Sequence, residues 1–231
     1  MTDGNQTFLT MFADRERIAD YASGPRRYTP GIDAVHRMTA ILLAERAPAD
    51  AHVLVLGAGG GLELTALAQA QPGWRFTGVD PAGPMLELAR AAMGADAGRA
   101  TFVEGYIDAA DAGPFDAATC LLTLHFLERD ERVRTLRELR RRLKPGAPIV
   151  VAHSSFPQDE PDRTRWLDRY AAFAIASGAD PAQVEQARAA VAASLTLLSP
   201  EEDAACLREA GFQRVELFYA AFTWRGWVAL A

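Results

Sequence analysis

The 231-residue chain has two cysteines, Cys120 and Cys206, which lie far apart in the sequence. Neither belongs to a cluster of closely spaced cysteines and histidines, so the spacing typical of a metal site is missing and a disulfide framework is excluded. We therefore predict no metal, and a reducing, cytoplasmic location.

Long hydrophobic runs and a basic arm are also absent. No apolar stretch approaches the roughly 18 residues of a membrane span, and the start, MTDGNQTFLT, does not have the pattern of a signal peptide. The net charge is -6, and the one basic cluster, Arg137–Lys144, falls where a helix should end. These features predict a small-molecule substrate and neither a membrane nor a nucleic-acid partner.

Hydrophobic periodicity in the middle of the chain predicts alternating strands and helices. The predicted strands are near His52–Leu56, Arg75–Val79, Thr101–Val103, Ala117–Leu122 and Ala147–Ala152. One predicted helix starts at Leu62, and two others span Pro84–Ala92 and Asp130–Leu143. Such alternation is typical of a parallel sheet that is covered by helices on both faces.

The N-terminal part precedes the first strand and shows helical periodicity in Phe8–Ala22 and Gly31–Ala47. Between them, Ser23–Pro30 contains one glycine and two prolines, which predict a polar loop that is either a lid or a linker.

After the fifth strand the pattern changes to two helices, Asp162–Ser177 and Pro181–Ala193, with no strand between them. We interpret this part as a helical insertion. A further helix has Ser199 as its N-cap and stops at Gly211. The tail predicts two strands joined tightly at Tyr219–Ala221.

A glycine-rich turn follows the first strand in VLVLGAGGGLEL. Gly57, Gly59 and Gly61 allow positive φ and let a ligand approach the backbone at a helix N-terminus. A dinucleotide fingerprint needs a further glycine where Leu62 stands, so nicotinamide and flavin cofactors are disfavoured. Asp80 closes the second strand, where a carboxylate can accept both hydroxyls of a ribose. An adenosine-like ligand without pyrophosphate is predicted.

An ordered set of motifs carries a family resemblance. In chain order, these motifs are GxGxG, the acidic residue that closes the second strand, PMLELAR, FDAATCLLTLHFL, LKPGAPIVVA and REAGF. With this set, the chain resembles the class I S-adenosylmethionine-dependent methyltransferases over residues 51–231. The resemblance implies a Rossmann-like, doubly wound α/β fold whose seven strands have the order 3-2-1-4-5-7-6, with the last strand antiparallel. It places N-terminal helices before the sheet and the helical insertion after strand five.

The same resemblance implies one domain over residues 1–231. Its parts are an N-terminal helical lid (1–50), a cofactor-binding core (51–154), a helical cap (155–198) and a C-terminal helix and hairpin (199–231). A homodimer is also implied.

The implied cofactor is S-adenosylmethionine, with S-adenosylhomocysteine as product. The cofactor-binding residues that the resemblance implies are Gly57, Ala58, Gly59, Gly61, Asp80, Pro81, Met85, Tyr106, Ile107, Leu122 and Thr123. Two positions depart from the family, because Val55 and Tyr106 stand where many members have an acidic residue.

Within the superfamily, TLHFLERDER and the helical insertion resemble the carboxy-S-adenosylmethionine synthases, which use S-adenosylmethionine and prephenate and supply tRNA wobble-uridine modification. Arg188 matches an arginine that binds the extra carboxylate in that family. Ile32 and Leu121 depart from that family's tyrosine and asparagine. We therefore predict a methyltransferase that acts on a small molecule, with the synthase reaction as the alternative.

Other residues are candidates for the acceptor side. His125 and His153 follow strands four and five and are candidate bases, while Tyr21, Arg27 and Tyr28 are candidate substrate-binding residues. An inactive cofactor-binding module and a nicotinamide-dependent oxidoreductase are the further alternatives. The acceptor atom stays open.

Overall fold

A computed structural model describes residues 23–231. The predicted helix Phe8–Ala22, including Tyr21, lies outside the described residues.

Eight α-helices and seven strands follow one another in these residues. The helices are α1 (Ser23–Tyr28), α2 (Ile32–Ala44), α3 (Leu62–Ala70), α4 (Gly83–Met93), α5 (Arg129–Arg141), α6 (Asp162–Ala176), α7 (Pro181–Ser194) and α8 (Pro200–Glu209). The strands are β1 (His52–Leu56), β2 (Arg75–Asp80), β3 (Ala100–Glu104), β4 (Ala117–Leu121), β5 (Pro148–Ser154), β6 (Gln213–Ala221) and β7 (Trp224–Leu230). Short 3₁₀ helices cover Gly94–Arg99, Ile107–Ala109 and Leu124–Phe126.

The sheet has the predicted strand order, β3-β2-β1-β4-β5-β7-β6. Strands β1 to β5 pair in parallel, and β7 runs antiparallel to both β5 and β6. The predicted fold class is confirmed.

The central strands are buried on both faces, which explains their nearly continuous apolar sequences. Alternate residues of β1 enter opposite cores: Leu54 and Leu56 pack with α5 and α8, whereas Val53 and Val55 pack with α2, α3 and α4. Edge strand β6 is more exposed, and its pairing with β7 is irregular. The sheet is thus a rigid, two-sided support for the loops at its carboxyl ends.

Local capping fixes the helices after β5. Ser199 and Glu202 form a reciprocal capping box at the start of α8, as the sequence predicts. Asp180 accepts a hydrogen bond from the Gln183 N–H at 3.0 Å and caps α7. The predicted helical insertion is therefore the hairpin of α6 and α7.

Two local predictions were wrong. Ser23–Pro30 is not a loop throughout, because α1 forms with Pro25 in its first turn, where the missing N–H of proline costs no helical hydrogen bond. The hairpin turns at Phe222–Thr223 and not at Tyr219–Ala221, and Phe222 has a positive φ of 47°. No glycine or asparagine marks this turn, so the usual sequence signal is missing.

None of the helices described between residues 23 and 231 combines the length and apolar character that a membrane-crossing helix needs.

Candidate active site

A cavity of about 410 Å³ opens at the carboxyl ends of β1, β2 and β4. One part of its wall is the glycine turn after β1, and the opposite part consists of α1, α2 and the α6–α7 hairpin. Ligands of open parallel sheets bind at this edge. The cavity is therefore the candidate active site.

The glycine turn lines the cavity through Gly57, Ala58, Gly59 and Gly61. All three glycines have positive φ (78°, 48° and 80°), as the motif predicts. At Gly57, however, an added Cβ would lie 1.9 Å from Thr123 Oγ1, so close packing within the protein already requires glycine there. The N–H groups of all four residues donate hydrogen bonds within the protein.

Asp80 is held rigidly at the end of β2. Its Oδ2 accepts a hydrogen bond from the Gly59 N–H and its Oδ1 accepts one from the Ala82 N–H, both at 2.9 Å. Burial raises the pKa of Asp80, and these two hydrogen bonds offset part of that effect. Since each carboxylate oxygen has two acceptor sites, one on each oxygen is left for a ligand hydroxyl.

An apolar slot lies next to Asp80. Pro81, Met85 and Ile107 line it, with the half-exposed Tyr106 at its edge. Asp108 does not line the cavity, and its carboxylate pairs with Arg134 at 3.1 Å. The slot therefore offers flat, apolar contacts and no carboxylate from this loop.

The end of β4 forms the cavity wall opposite β2, through Leu122 and Thr123. Leu122 has a positive φ of 56°, and its N–H donates to the Ala152 carbonyl at 2.6 Å. Thr123 Oγ1 donates to the Leu121 carbonyl at 2.9 Å. A leucine held in the left-handed region is strained, and such strain concentrates at functional sites.

His125 borders the cavity just beyond β4. Its Nδ1 accepts a hydrogen bond from the Ser154 N–H at 3.2 Å, so the proton of the neutral ring lies on Nε2. Burial, together with repulsion from His153 and Arg132, lowers the pKa of His125 well below its ordinary value. A neutral ring whose acceptor nitrogen is occupied can donate from Nε2, and this geometry does not support the predicted role as a base.

His153 does not line the cavity, and its predicted contact with a ligand needs correction. Its Nε2 lies 3.1 Å from Asp203 Oδ1 in α8, and Arg132 of α5 contacts the same oxygen. All three side chains are almost completely buried. The register of β5 thus directs His153 to a carboxylate between two helices.

Arg27 and Arg188 also lie away from the cavity wall, whereas Tyr28 lines it. Arg27 is exposed on the outside of α1. Arg188 donates from its Nη2 to Asp168 at 2.7 Å and also pairs with Glu185. The surface pairing of Arg188 corrects the prediction that this guanidinium faces the ligand.

Comparisons with known proteins agree with the fold. Residues 53–146 match the family described as "Methyltransferase domain". The carboxy-S-adenosyl-L-methionine synthase of Chromohalobacter salexigens is 28% identical over 220 residues, which cover 94% of this chain and 82% of that protein. Together with the strand order, these matches support a class I S-adenosylmethionine-dependent methyltransferase.

Two solved structures show the same fold. PigF with SAH has a TM-score of 0.69 at 16% identity and covers 96% of this chain and 61% of its own. Human N-acetylserotonin methyltransferase in complex with SAM has a TM-score of 0.64 at 15% identity. The match covers 96% of this chain and 58% of that structure's chain. The chain therefore spans less than two thirds of the length of either structure.

Two residues that border the cavity were not predicted from the sequence. Glu63 stands in the first turn of α3, where an acid ordinarily complements the helix dipole, and His36 lies among the apolar residues of α2. Both side chains are buried and border the cavity. Burial lowers the pKa of His36 to about 4 and keeps its ring neutral at pH 7.

Proposed function

We propose that the protein transfers the methyl group of S-adenosylmethionine to a small, largely apolar acceptor. The observation that carries this proposal is the continuity of the cavity, which joins the glycine turn and Asp80 to a chamber under α1, α2 and the α6–α7 hairpin. Apolar and aromatic side chains dominate that chamber, among them Tyr28, Ile32, Tyr170 and Trp224.

The residues present fit the cofactor. The two remaining acceptor sites on Asp80 suit a ribose, and the slot of Pro81, Met85 and Ile107 suits an adenine ring. The glycine turn and the strained end of β4 suit the amino-acid part. When bound, S-adenosylmethionine supplies an activated methyl group.

On the acceptor side, the chain's own groups orient the substrate and exclude water. The neutral His125 can donate from Nε2 to an acceptor oxygen. Burial raises the pKa of Tyr28 and of Tyr170, whose rings lie 5.6 Å apart, so both hydroxyls stay neutral. His36 is a second buried imidazole at the cavity wall, and because burial lowers its pKa to about 4 it is suited to hydrogen bonding in the neutral form and not to proton uptake.

A second candidate is carboxy-S-adenosylmethionine formation, which the names of the curated relatives favour. That reaction needs a cation for the carboxylates of prephenate. Among the residues described as lining the cavity, Arg134 is the only arginine or lysine, and it is bonded to Glu131 and Asp108. Arg188 is bonded to Asp168. These pairings support plain methyl transfer.

The deciding experiment identifies the nucleoside that the purified protein carries. We expect mass spectrometry of the released ligand to find S-adenosylmethionine or S-adenosylhomocysteine, and calorimetry to show that both bind. A carboxylated cofactor mass, or consumption of prephenate, would establish the second candidate. Failure of both nucleosides to bind would refute both candidates.

A further inference from the structure

Glu63 carries a buried carboxyl group that no step above uses. It is the second residue of α3, directly after the glycine turn, and it borders the cavity with 6% of its surface exposed. Its Oε1 has no hydrogen-bond partner among the described residues. A buried carboxyl group in this state costs free energy unless a ligand supplies a donor or a positive charge.

The described residues that interact electrostatically with Glu63 do not supply that charge. Thr119 of β4 acts on Glu63, and Glu63 in turn acts on Cys120, whose thiol is neutral because burial raises its pKa. Asp80 and His125 border the same cavity, and His125 is neutral. Burial raises the pKa of Glu63 to about 8, an effect that the Thr119 hydroxyl partly offsets. Without a ligand, Glu63 is therefore mostly protonated at pH 7.

We infer that Glu63 receives the ammonium group of the cofactor's amino-acid part. The inference rests on the proposed function, because it assigns a subsite for S-adenosylmethionine. An orphaned oxygen requires a hydrogen-bond donor. An ammonium group has three N–H donors, whereas a sulfonium has none. Hydrogen bonds between charged groups are stronger than those between neutral groups. Such a bond can therefore offset the free energy that burial of an ionised carboxylate costs.

This contact predicts that the protein releases a proton when the cofactor binds. Binding an ammonium ion favours the ionised carboxylate, so Glu63 must lose the proton that it carries in the free protein. With a free-state pKa of about 8, we expect release of about 0.9 proton per site at pH 7. The same linkage predicts that affinity falls about tenfold between pH 7 and pH 6.

The test is calorimetric titration at pH 7 in two buffers with different ionisation enthalpies. The ligands are S-adenosylmethionine, S-adenosylhomocysteine and 5′-methylthioadenosine, which keeps the nucleoside but lacks the amino-acid group. We expect proton release with the first two ligands and none with the third. Glu63→Gln should abolish the release and weaken S-adenosylhomocysteine binding about tenfold or more, with little change for 5′-methylthioadenosine.

Glu131→Gln is the matched control, since Glu131 also borders the cavity but pairs with Arg134 at its surface. This variant should keep the proton release. Release with S-adenosylmethionine alone would overturn the assignment in favour of the sulfonium. If all three ligands bind without release, the role of Glu63 is refuted while the proposed function survives; if none binds, the proposed function itself fails. Should Glu63→Gln not fold, the two wild-type titrations with S-adenosylhomocysteine and 5′-methylthioadenosine decide the question.

Discussion

At the scale of single residues, Asp80 depends on two backbone donors for its position. Asp80→Asn keeps the shape but turns an amide N–H₂ towards either the Gly59 or the Ala82 N–H, so one hydrogen bond is replaced by two opposed donors. We expect about tenfold to hundredfold weaker binding of S-adenosylhomocysteine, measured by calorimetry. Unchanged affinity would show that Asp80 does not hold the ribose.

His125 is the second residue whose state can be measured directly. The Ser154 N–H occupies its Nδ1, and burial lowers its pKa well below the ordinary value. We expect ¹⁵N NMR of the imidazole to show the neutral Nε2–H form, with no titration between pH 6 and pH 8. A ring that charges in this interval would restore the predicted role as a base.

At the scale of elements, a buried ion pair joins α5 to α8. Arg132 contacts Asp203 and also donates from its Nη2 to the Thr196 carbonyl at 2.6 Å, and both charged side chains are 1% exposed. Asp203→Asn leaves a buried guanidinium without its counter-ion, so we expect a loss of about 3–5 kcal/mol in the free energy of unfolding. Denaturant titration measures this loss.

Arg129 and Glu209 supply a matched control, because they join the same two helices at the surface. Glu209→Gln should barely change the denaturation midpoint, since exposed ion pairs contribute little. Equal losses in the two variants would contradict the importance of burial.

The stabilisation that the buried ion pair contributes should depend on pH, because the pKa of Asp203 is shifted. Burial alone would raise its pKa, but His153, Arg132 and Ser155 outweigh that effect and hold the pKa at about 2. The unfolded value is about 3.9, so the native state binds fewer protons, and the stabilisation is complete above pH 4. We expect the difference between the wild type and Asp203→Asn to shrink as the pH falls from about 4 to about 2. Denaturation at a series of pH values would detect it, and a difference independent of pH would contradict it.

At the scale of the whole molecule, the chain's N-terminal and C-terminal parts meet at the cavity. Tyr219 donates from its hydroxyl to the Pro30 carbonyl at 2.5 Å, and Trp224 donates from Nε1 to the Tyr28 carbonyl at 3.0 Å. Strands β6 and β7 thus hold α1, one wall of the chamber. The homodimer and the division into lid, core and cap stay predictions.

Removal of one of these contacts should loosen that wall. Tyr219→Phe deletes the hydrogen bond to Pro30 at a cost of about 1 kcal/mol. We expect faster proteolytic cleavage near residues 23–31, while the rate of cleavage elsewhere serves as the internal control. Bound S-adenosylhomocysteine should slow the cleavage if α1 closes over the ligand. Identical cleavage patterns in the wild type and the variant would refute this role of the hairpin.

The strands of the sheet and the location of the cavity could be predicted from local sequence patterns. Strands β1 to β5 are short apolar runs between turn residues, and the glycine turn and Asp80 mark the carboxyl ends of two of them, so local pattern was sufficient. It also determined the capping of α8, because a capping box is encoded within four residues.

The contacts of the polar side chains, in contrast, could not be predicted from the sequence and are set by long-range packing. His153 meets Asp203 from a helix 50 residues later, Arg188 meets Asp168 on the neighbouring helix, and Glu63 is buried because the sheet packs against α3. These contacts join residues that are distant in the sequence, and no local spacing encodes them. Periodicity tells which face of an element is apolar, whereas packing decides which buried polar group finds a partner and which is left for a ligand.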